Sequence, residues 1–384
     1  MSPSLQPSKR GAIDPFYVME VMKAAAEREA AGGDVIHMEV GQPSTPAPRA
    51  AIAAAVAAAQ REPLGYTLAL GVPQLREAIA KHYRDYYGLA VPAERIIVTT
   101  GSSAGFLLAF LAAFDAGDKV ALGEPAYPAY RNILKGVNLE PAMIVTEMAT
   151  RFQPTPADIQ KQAPDAKGVL VASPANPTGT MLGEAEMKAL ADDCAAKSRW
   201  LIVDEIYHGI TYHGRAQSVL ALTDQAIVIN SFSKYFSMTG WRLGWMVVPE
   251  ILLRPIECLM QNLYISSPGI SQVAGIAALS AYDELEQNVA RYAKNREILL
   301  NELPQAGFDR LAPADGAFYI YADISRFTND ANDFCKRMLA ETGIAATPGI
   351  DFDRGRGHYF MRFSFAGATD RMSEAAKRLK AWAK

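Results

Sequence analysis

The chain has 384 residues, 50% of them hydrophobic and 21% charged, with a formal net charge of −3. That length exceeds the roughly 250 to 300 residues at which one core stops growing, so two domains are expected in an ordinary globular protein. A charge so near balance provides no field to draw nucleic acid or an anionic membrane.

Met1 to Arg10 is polar and Pro/Ser-rich, without the apolar run of a signal peptide, and the cytoplasm is the expected compartment. The runs AAIAAAVAAA (50–59) and FLLAFLAAF (106–114) are well short of the roughly 20 apolar residues that cross a bilayer and read as buried helices. From about residue 90 to 250, short apolar runs alternate with helical stretches, the pattern of a parallel sheet with helices on its faces. The predicted strands are RIIVTT (95–100), KVALG (119–123), GVLVAS (168–173), WLIVDE (200–205), AIVINS (226–231) and GWMVVP (244–249). Helices are expected at 104–114, 128–134 and 183–198, the last with Met187, Leu190 and Cys194 on one buried face.

Past residue 250 the texture changes to a long helical region (271–302), GAFYIYADI (316–324), a helix (329–343), the strand HYFMRFSFA (358–366) and a terminal helix (369–384). That succession predicts a smaller α+β domain. The segment before residue 45 is expected to pack with it, because some 40 residues cannot bury a core alone. The expected division is 45–285 for a large α/β domain, and 1–44 with 286–384 for the small one.

Cys194, Cys258 and Cys335 are too few and too far apart for a disulfide framework or a zinc site, and free thiols are expected. No Walker A, G-x-G-x-x-G or H-E-x-x-H pattern occurs.

The informative residues stand immediately after the strands. IIVTT runs into GSSAG (101–105), KVALG into EPAY (124–127), GVLVAS into PANPTG (174–179), WLIV into DEIY (204–207) and AIVIN into SFSK (231–234). Ligand sites of open α/β sheets lie at the carboxyl ends of the strands, so five such tails describe one pocket.

Each tail brings suitable chemistry. GSSAG opens a helix and presents free amides, the hydroxyls of Ser102 and Ser103, and the positive end of a helix dipole, a cradle for phosphate. Ser231 and Ser233 add hydroxyls, and Arg242 a planar bidentate donor. Lys234 follows an apolar strand and is itself followed by Tyr235, Phe236, Trp241 and Trp245. Bringing such an amine from about 10.4 to roughly 7 costs about 4 kcal/mol, and a low-pKa amine is what Schiff-base chemistry needs. Asp204 is a strand-end carboxylate that must find a positive partner, and a pyridinium nitrogen is one. Tyr207 and Asn176 offer hydrogen bonds to a phenolate oxygen, and Tyr127 a face for ring stacking. Arg362, in an apolar strand, needs a carboxylate, which a substrate would supply.

With these residues in place the chain resembles the class I and II aminotransferases of pyridoxal-phosphate (PLP) fold type I, from Gly41 to Arg362. The resemblance rests on S-x-S-K-x(7)-R (Ser231, Ser233, Lys234, Arg242), PANPTG, DEIY, YTLALGVPQLREAI and RFSFA, in order and spacing. It implies pyridoxal 5'-phosphate as cofactor and a ping-pong transamination between an L-amino acid and a 2-oxo acid. Lys234 is implied to hold the cofactor as an aldimine and later to move the proton, and Asp204 to meet the ring nitrogen. Tyr207 and Asn176 would meet the ring hydroxyl, and Tyr127 would stack. Gly101, Ser102, Ser103, Ser231, Ser233 and Arg242 would cradle the phosphate. Arg362, Gly41 and Asn176 would take the substrate. Tyr66 is implied to reach the phosphate of a neighbouring copy, hence a homodimer with shared sites; Tyr264 and Ser266 are candidates for the same face. Bacterial-type aspartate aminotransferases often carry a lysine where Ser103 stands. Its absence disfavours aspartate and favours a neutral or aromatic donor such as alanine or phenylalanine, with 2-oxoglutarate or pyruvate as acceptor. Selectivity is expected in the Ile13–Tyr17 and Tyr66 loops.

Rival readings have to be weighed on the sequence. A C–S β-lyase or a decarboxylase would share the cofactor and the first chemical step. GSSAG also satisfies G-x-S-x-G, so an α/β-hydrolase would use Ser103 with Asp351 and His358. A transcription regulator would need a DNA-binding domain that 40 residues cannot supply.

Overall fold

The computed structural model describes residues 5–382; the first four residues of the polar N-terminal stretch and the last two of the predicted terminal helix lie outside that range. The chain begins with α1 (Tyr17–Ala30), β1 (Ile36–His37), α2 (Arg49–Arg61) and α3 (Pro73–His82). It continues through β2 (Ile96–Thr99), α4 (Ser102–Ala113), β3 (Lys119–Glu124), α5 (Pro128–Gly136), β4 (Glu140–Val145), α6 (Pro156–Gln162) and β5 (Gly168–Ala172). Next come α7 (Glu184–Ala196), β6 (Trp200–Asp204), β7 (Ile227–Ser231), β8 (Gly244–Val247), α8 (Leu253–Leu263), α9 (Gly269–Ala278) and α10 (Tyr282–Glu302). The last part holds β9 (Tyr319–Asp323), α11 (Ala331–Thr342), β10 (Ile344–Ala345), β11 (Thr347–Pro348), β12 (Phe360–Ser364) and α12 (Thr369–Trp382).

A seven-stranded sheet runs in the order β2-β8-β7-β6-β5-β3-β4. β8 pairs antiparallel with both neighbours and the remaining ladders are parallel, so β8 alone runs against the rest. Both faces are covered, as a parallel sheet requires. Alternate residues feed two cores: Val169, Val171, Leu201, Val203 and Val228 on one face, and Leu170, Ile202, Ile227 and Ile229 on the other, with Phe106 and Phe110 of α4. Each such side chain contributes about 1.5–3 kcal/mol. This is the expected α/β architecture, accompanied by a smaller α+β part.

In that smaller part β11, β12 and β9 form an antiparallel sheet. β1 pairs parallel with β10, joining Ile36 to Ile344 across the length of the chain.

Four local expectations are corrected. β4 was not foreseen: it is an edge strand with Pro141, half-exposed along most of its length, and so lacks a buried apolar run. α1 was not foreseen either, because only Ala25 of its residues is fully buried. The helical region 271–302 is broken between α9 and α10, since α9 packs on α2 while α10 packs on α12. α2 is not buried all round: Ala51, Ala55 and Ala58 face inward, but Ile52 and Val56 are 38% and 52% exposed. Cys194, Cys258 and Cys335 are free thiols, and no described helix is long and apolar enough to cross a membrane.

Candidate active site

Register explains why the tails meet. Asp204, the last residue of β6, lies opposite Ala172, the last of β5, and Ile229 near the end of β7. Parallel strands ending level deliver their next residues to one edge. There a cavity of about 290 Å³ is lined by Ser102 and Ser103 after β2, Tyr127 after β3, Asn176 after β5, Asp204 at the end of β6 and Tyr207 beyond it, and Ser233 and Lys234 after β7. Gly41, Arg242 and Arg362 also line it.

Three predicted residues stand apart from the lining. Gly101 caps α4 at φ +76°, where a Cβ would sit 2.6 Å from Arg242 Nη2; the glycine lets the guanidinium approach the helix N-terminus. Ser231 lies behind the wall, donating to Ser233 Oγ at 2.9 Å and accepting from the Ser233 amide at 3.0 Å. Tyr66 is 84% exposed, on a loop where Thr67 N donates to Ser266 Oγ at 3.3 Å.

Lys234 is packed deep in the fold with its tip open to the cavity. Nζ donates to Gly41 O and sits 5.8 Å from the Tyr207 ring centroid. Burial, helped by repulsion from Arg362 and Arg242, brings its amine down to about 8. Asp204 is buried; it accepts from the Tyr130 hydroxyl and from Ile206 N at 2.9 Å. Burial pushes its carboxyl up to about 6 despite those donors and Lys234.

Arg362 is 4% exposed, with its guanidinium carbon 4.4 Å from the Tyr319 ring centroid and 4.7 Å from that of Phe352. It donates to Asn176 Oδ1 at 2.7 Å, to Glu39 O and to Thr347 Oγ1 at 3.3 Å, while Nε has no partner. A buried guanidinium held by neutral acceptors is costly until a carboxylate arrives. Tyr207 and Tyr319 share a hydrogen bond of 2.6 Å, and a Cβ on Gly41 would lie 1.9 Å from Tyr319 Oη.

Sequence reasoning missed Tyr130, Tyr319 and the α1 residues Val18, Met19 and Met22, all of which line the cavity. Tyr130 carried a faint signal, since EPAYPAY repeats its tyrosine one helical turn later. Tyr319 reads as ordinary core. Of the Ile13–Tyr17 segment, Phe16 reaches the lining and Ile13 does not.

The hydrolase arrangement does not form. No histidine among the described residues lines the cavity; His358 lies against the Tyr359 ring, 3.9 Å between centroids, and the Asp351 carboxylate accepts from Tyr17 N and Val18 N.

Anion donors at a helix N-terminus, a buried carboxylate, an aromatic face and a low-pKa lysine in one cavity fit a phosphorylated pyridine aldehyde. A family model described as aminotransferase class I and II matches residues 33–379. The chain belongs to the class I and II aminotransferases. It is a PLP-dependent transaminase, acting on amino acids and their 2-oxo acids. A valine–pyruvate aminotransferase of Mycobacterium tuberculosis is 50% identical over 97% of both chains. A (5-formylfuran-3-yl)methyl phosphate transaminase of Methanocaldococcus jannaschii is 30% identical over 96% of both. A crystal structure of an M. tuberculosis aminotransferase superposes with a TM-score of 0.97 at 49% identity, over 99% of each chain. The aspartate aminotransferase of Thermus thermophilus with maleate gives 0.92 at 28% identity, over 98% of this chain and 100% of that one.

Proposed function

We propose that this transaminase takes its amino group from a neutral, apolar L-amino acid of the valine class and passes it to pyruvate. The observation that carries this reading is the wall contributed by α1 and its entry: Phe16, Val18, Met19 and Met22 line the cavity. An acidic side chain would be desolvated against these apolar groups, whereas a branched aliphatic one buries about 0.8 kcal/mol per CH₂ against carbon. The name of the mycobacterial relative supports the same donor and acceptor. Assay of the PLP-loaded enzyme with pyruvate as acceptor should give kcat/KM for valine about 100-fold above that for aspartate. Faster turnover of aspartate would overturn the reading.

The proposed division of labour rests on the geometry. When bound, the cofactor supplies a carbonyl carbon that takes the amino group and a ring that accepts electrons. Ser102, Ser103, Ser233 and Arg242, with Gly101 and Ser231 shaping the turn, would hold its phosphate. Asp204, backed by Tyr130, would hold the ring nitrogen in its protonated form. Asn176 and Tyr207 would take the ring hydroxyl, and Tyr127 would cover one face. Lys234 would hold the cofactor through its neutral amine and, once displaced by the substrate, would take the α-proton at Nζ and deliver it to the carbon that receives the amino group; an amine near 8 suits both tasks. Arg362 and Gly41 orient the substrate's α-carboxylate.

A homodimer with shared sites is also proposed. Exposed Tyr66 and the exposed Ile52 and Val56 of α2 support it. The division into 45–285 against 1–44 with 286–384 is supported by the β1–β10 pairing, and a cytoplasmic location by the free thiols.

A further inference from the structure

Helix α1 begins without a cap of its own. Its N-cap position is Phe16, which has no side-chain acceptor, so the first amides of the helix must find partners elsewhere. They find them 334 and 333 residues away: Tyr17 N and Val18 N each donate to Asp351, to Oδ1 and Oδ2 respectively, at 3.3 Å. The Asp351 side chain is buried at 1% exposure, and its backbone carbonyl is held from below by Arg131 Nη2 at 2.6 Å. It is therefore a fixed post.

The rest of α1 is anchored at its other end. Arg28 donates to Ala340 O at 2.9 Å, Gly33 N closes onto Arg28 O at 2.9 Å, and Ala25 is the fully buried residue. The segment before α1 is tied by the ion pairs of Asp14 with Arg354 at 2.6 Å and Lys135 at 3.6 Å, all partly exposed. Between these anchors, the turn that carries Phe16, Val18, Met19 and Met22 into the cavity hangs on the Asp351 carboxylate.

We infer that Asp351 is a positioning residue for substrate selection: by capping α1 from across the chain, it sets how closely the apolar wall approaches the donor's side chain. The inference rests on the proposed preference for an apolar donor and names the device that enforces it. Asp351 does no chemistry in this scheme. A donor with a side chain long enough to touch the wall depends on the cap, whereas alanine, with one methyl group, depends on it much less.

The test compares the PLP-loaded parent with Asp351→Ala, Asp351→Asn and Tyr17→Pro. The proline variant removes one donor without touching Asp351. Proline is suited to the first helical position, and Phe16 already has the extended backbone that must precede it, at φ −83° and ψ 118°. Two quantities are read: amide hydrogen exchange in the peptide 13–22, and the ratio of kcat/KM for valine to that for alanine, taken from the donor half-reaction of the PLP-loaded enzyme with no acceptor present.

Asp351→Ala should speed exchange in that peptide and lower the ratio about tenfold. Tyr17→Pro should lower it less, and Asp351→Asn, which keeps one acceptor oxygen, should recover most of it. Unchanged exchange, or faster exchange with an unchanged ratio, overturns the inference. Should Asp351→Ala fail to fold, Tyr17→Pro and Asp351→Asn carry the same comparison. If valine is not a substrate of the parent, the donor proposal fails separately. The exchange arm and the ratio for the best donor found then still decide the role of Asp351.

Discussion

The floor of the cavity and its α1 roof are held in different ways. The floor consists of strand tails, each within a few residues of a ladder that lies between two cores, and Asp204 and Ser233 there are buried. The roof is assembled from residues more than 300 positions apart, joined by 3.3 Å hydrogen bonds, and its Met19 is 59% exposed. Reaction chemistry needs atoms held to fractions of an ångström, and a sheet edge provides that. Substrate choice can be altered at a weakly buried helix with little cost to the fold.

The comparison is sharpened by substitutions that should act through chemistry in the floor. Lys234→Ala should lower transamination by about 10⁴-fold, the upper end for loss of a proton-transfer group, in a protein that melts as the parent does; retained activity would break the assignment.

Asp204→Asn should cost about 10²–10³-fold in kcat and carry a stability signature. The folded state raises this carboxyl from 3.8 to about 6. The folded protein therefore binds the proton more tightly, and the contribution is full below pH 3.8 and lost as pH rises through 6. That loss, roughly 3 kcal/mol, should appear in urea unfolding of the PLP-free parent between pH 4 and 7 and be missing in the variant.

Arg362→Ala should raise KM for the amino acid about 100-fold with a smaller change in kcat, as expected for lost charge-assisted hydrogen bonds to the α-carboxylate.

Capture of added PLP by the cofactor-free protein should quicken about tenfold from pH 7 to 9. The neutral fraction of the Lys234 amine, which titrates near 8, grows over that interval. A rate flat with pH would contradict a low-pKa amine at this position. The smallest effect is expected from Tyr66→Phe: about fivefold weaker PLP retention, measured by dialysis, corresponding to one hydrogen bond of about 1 kcal/mol.

Much of the floor was legible because its signals are local. An apolar run leading at once into GSSAG, DEIY or SFSK marks a strand and its polar tail in one stretch of sequence. Lys234 stood out because its neighbours are aromatic. β4 escaped because an edge strand with a proline lacks the buried pattern, and α1 because most of its surface is exposed. Tyr319 and the capping role of Asp351 escaped for another reason. Each residue has local surroundings that look like core or loop, and acquires a partner only when distant segments meet: Tyr319 against Gly41 and Tyr207, Asp351 against the first amides of α1.

Sequence alone therefore determined the α/β architecture, the edge of the sheet that bears the site and the residue types gathered there. Strand periodicity and the identity of the residue after each strand do not depend on the rest of the chain. Tertiary structure decided that Asp204 is shielded enough to hold a proton near pH 6. It also decided that Arg362 lies between two rings and is held by neutral acceptors, and that a carboxylate from residue 351 caps a helix starting at residue 17. Burial and capping are properties of an environment, and that environment is built by segments whose separation along the chain says nothing of their contact.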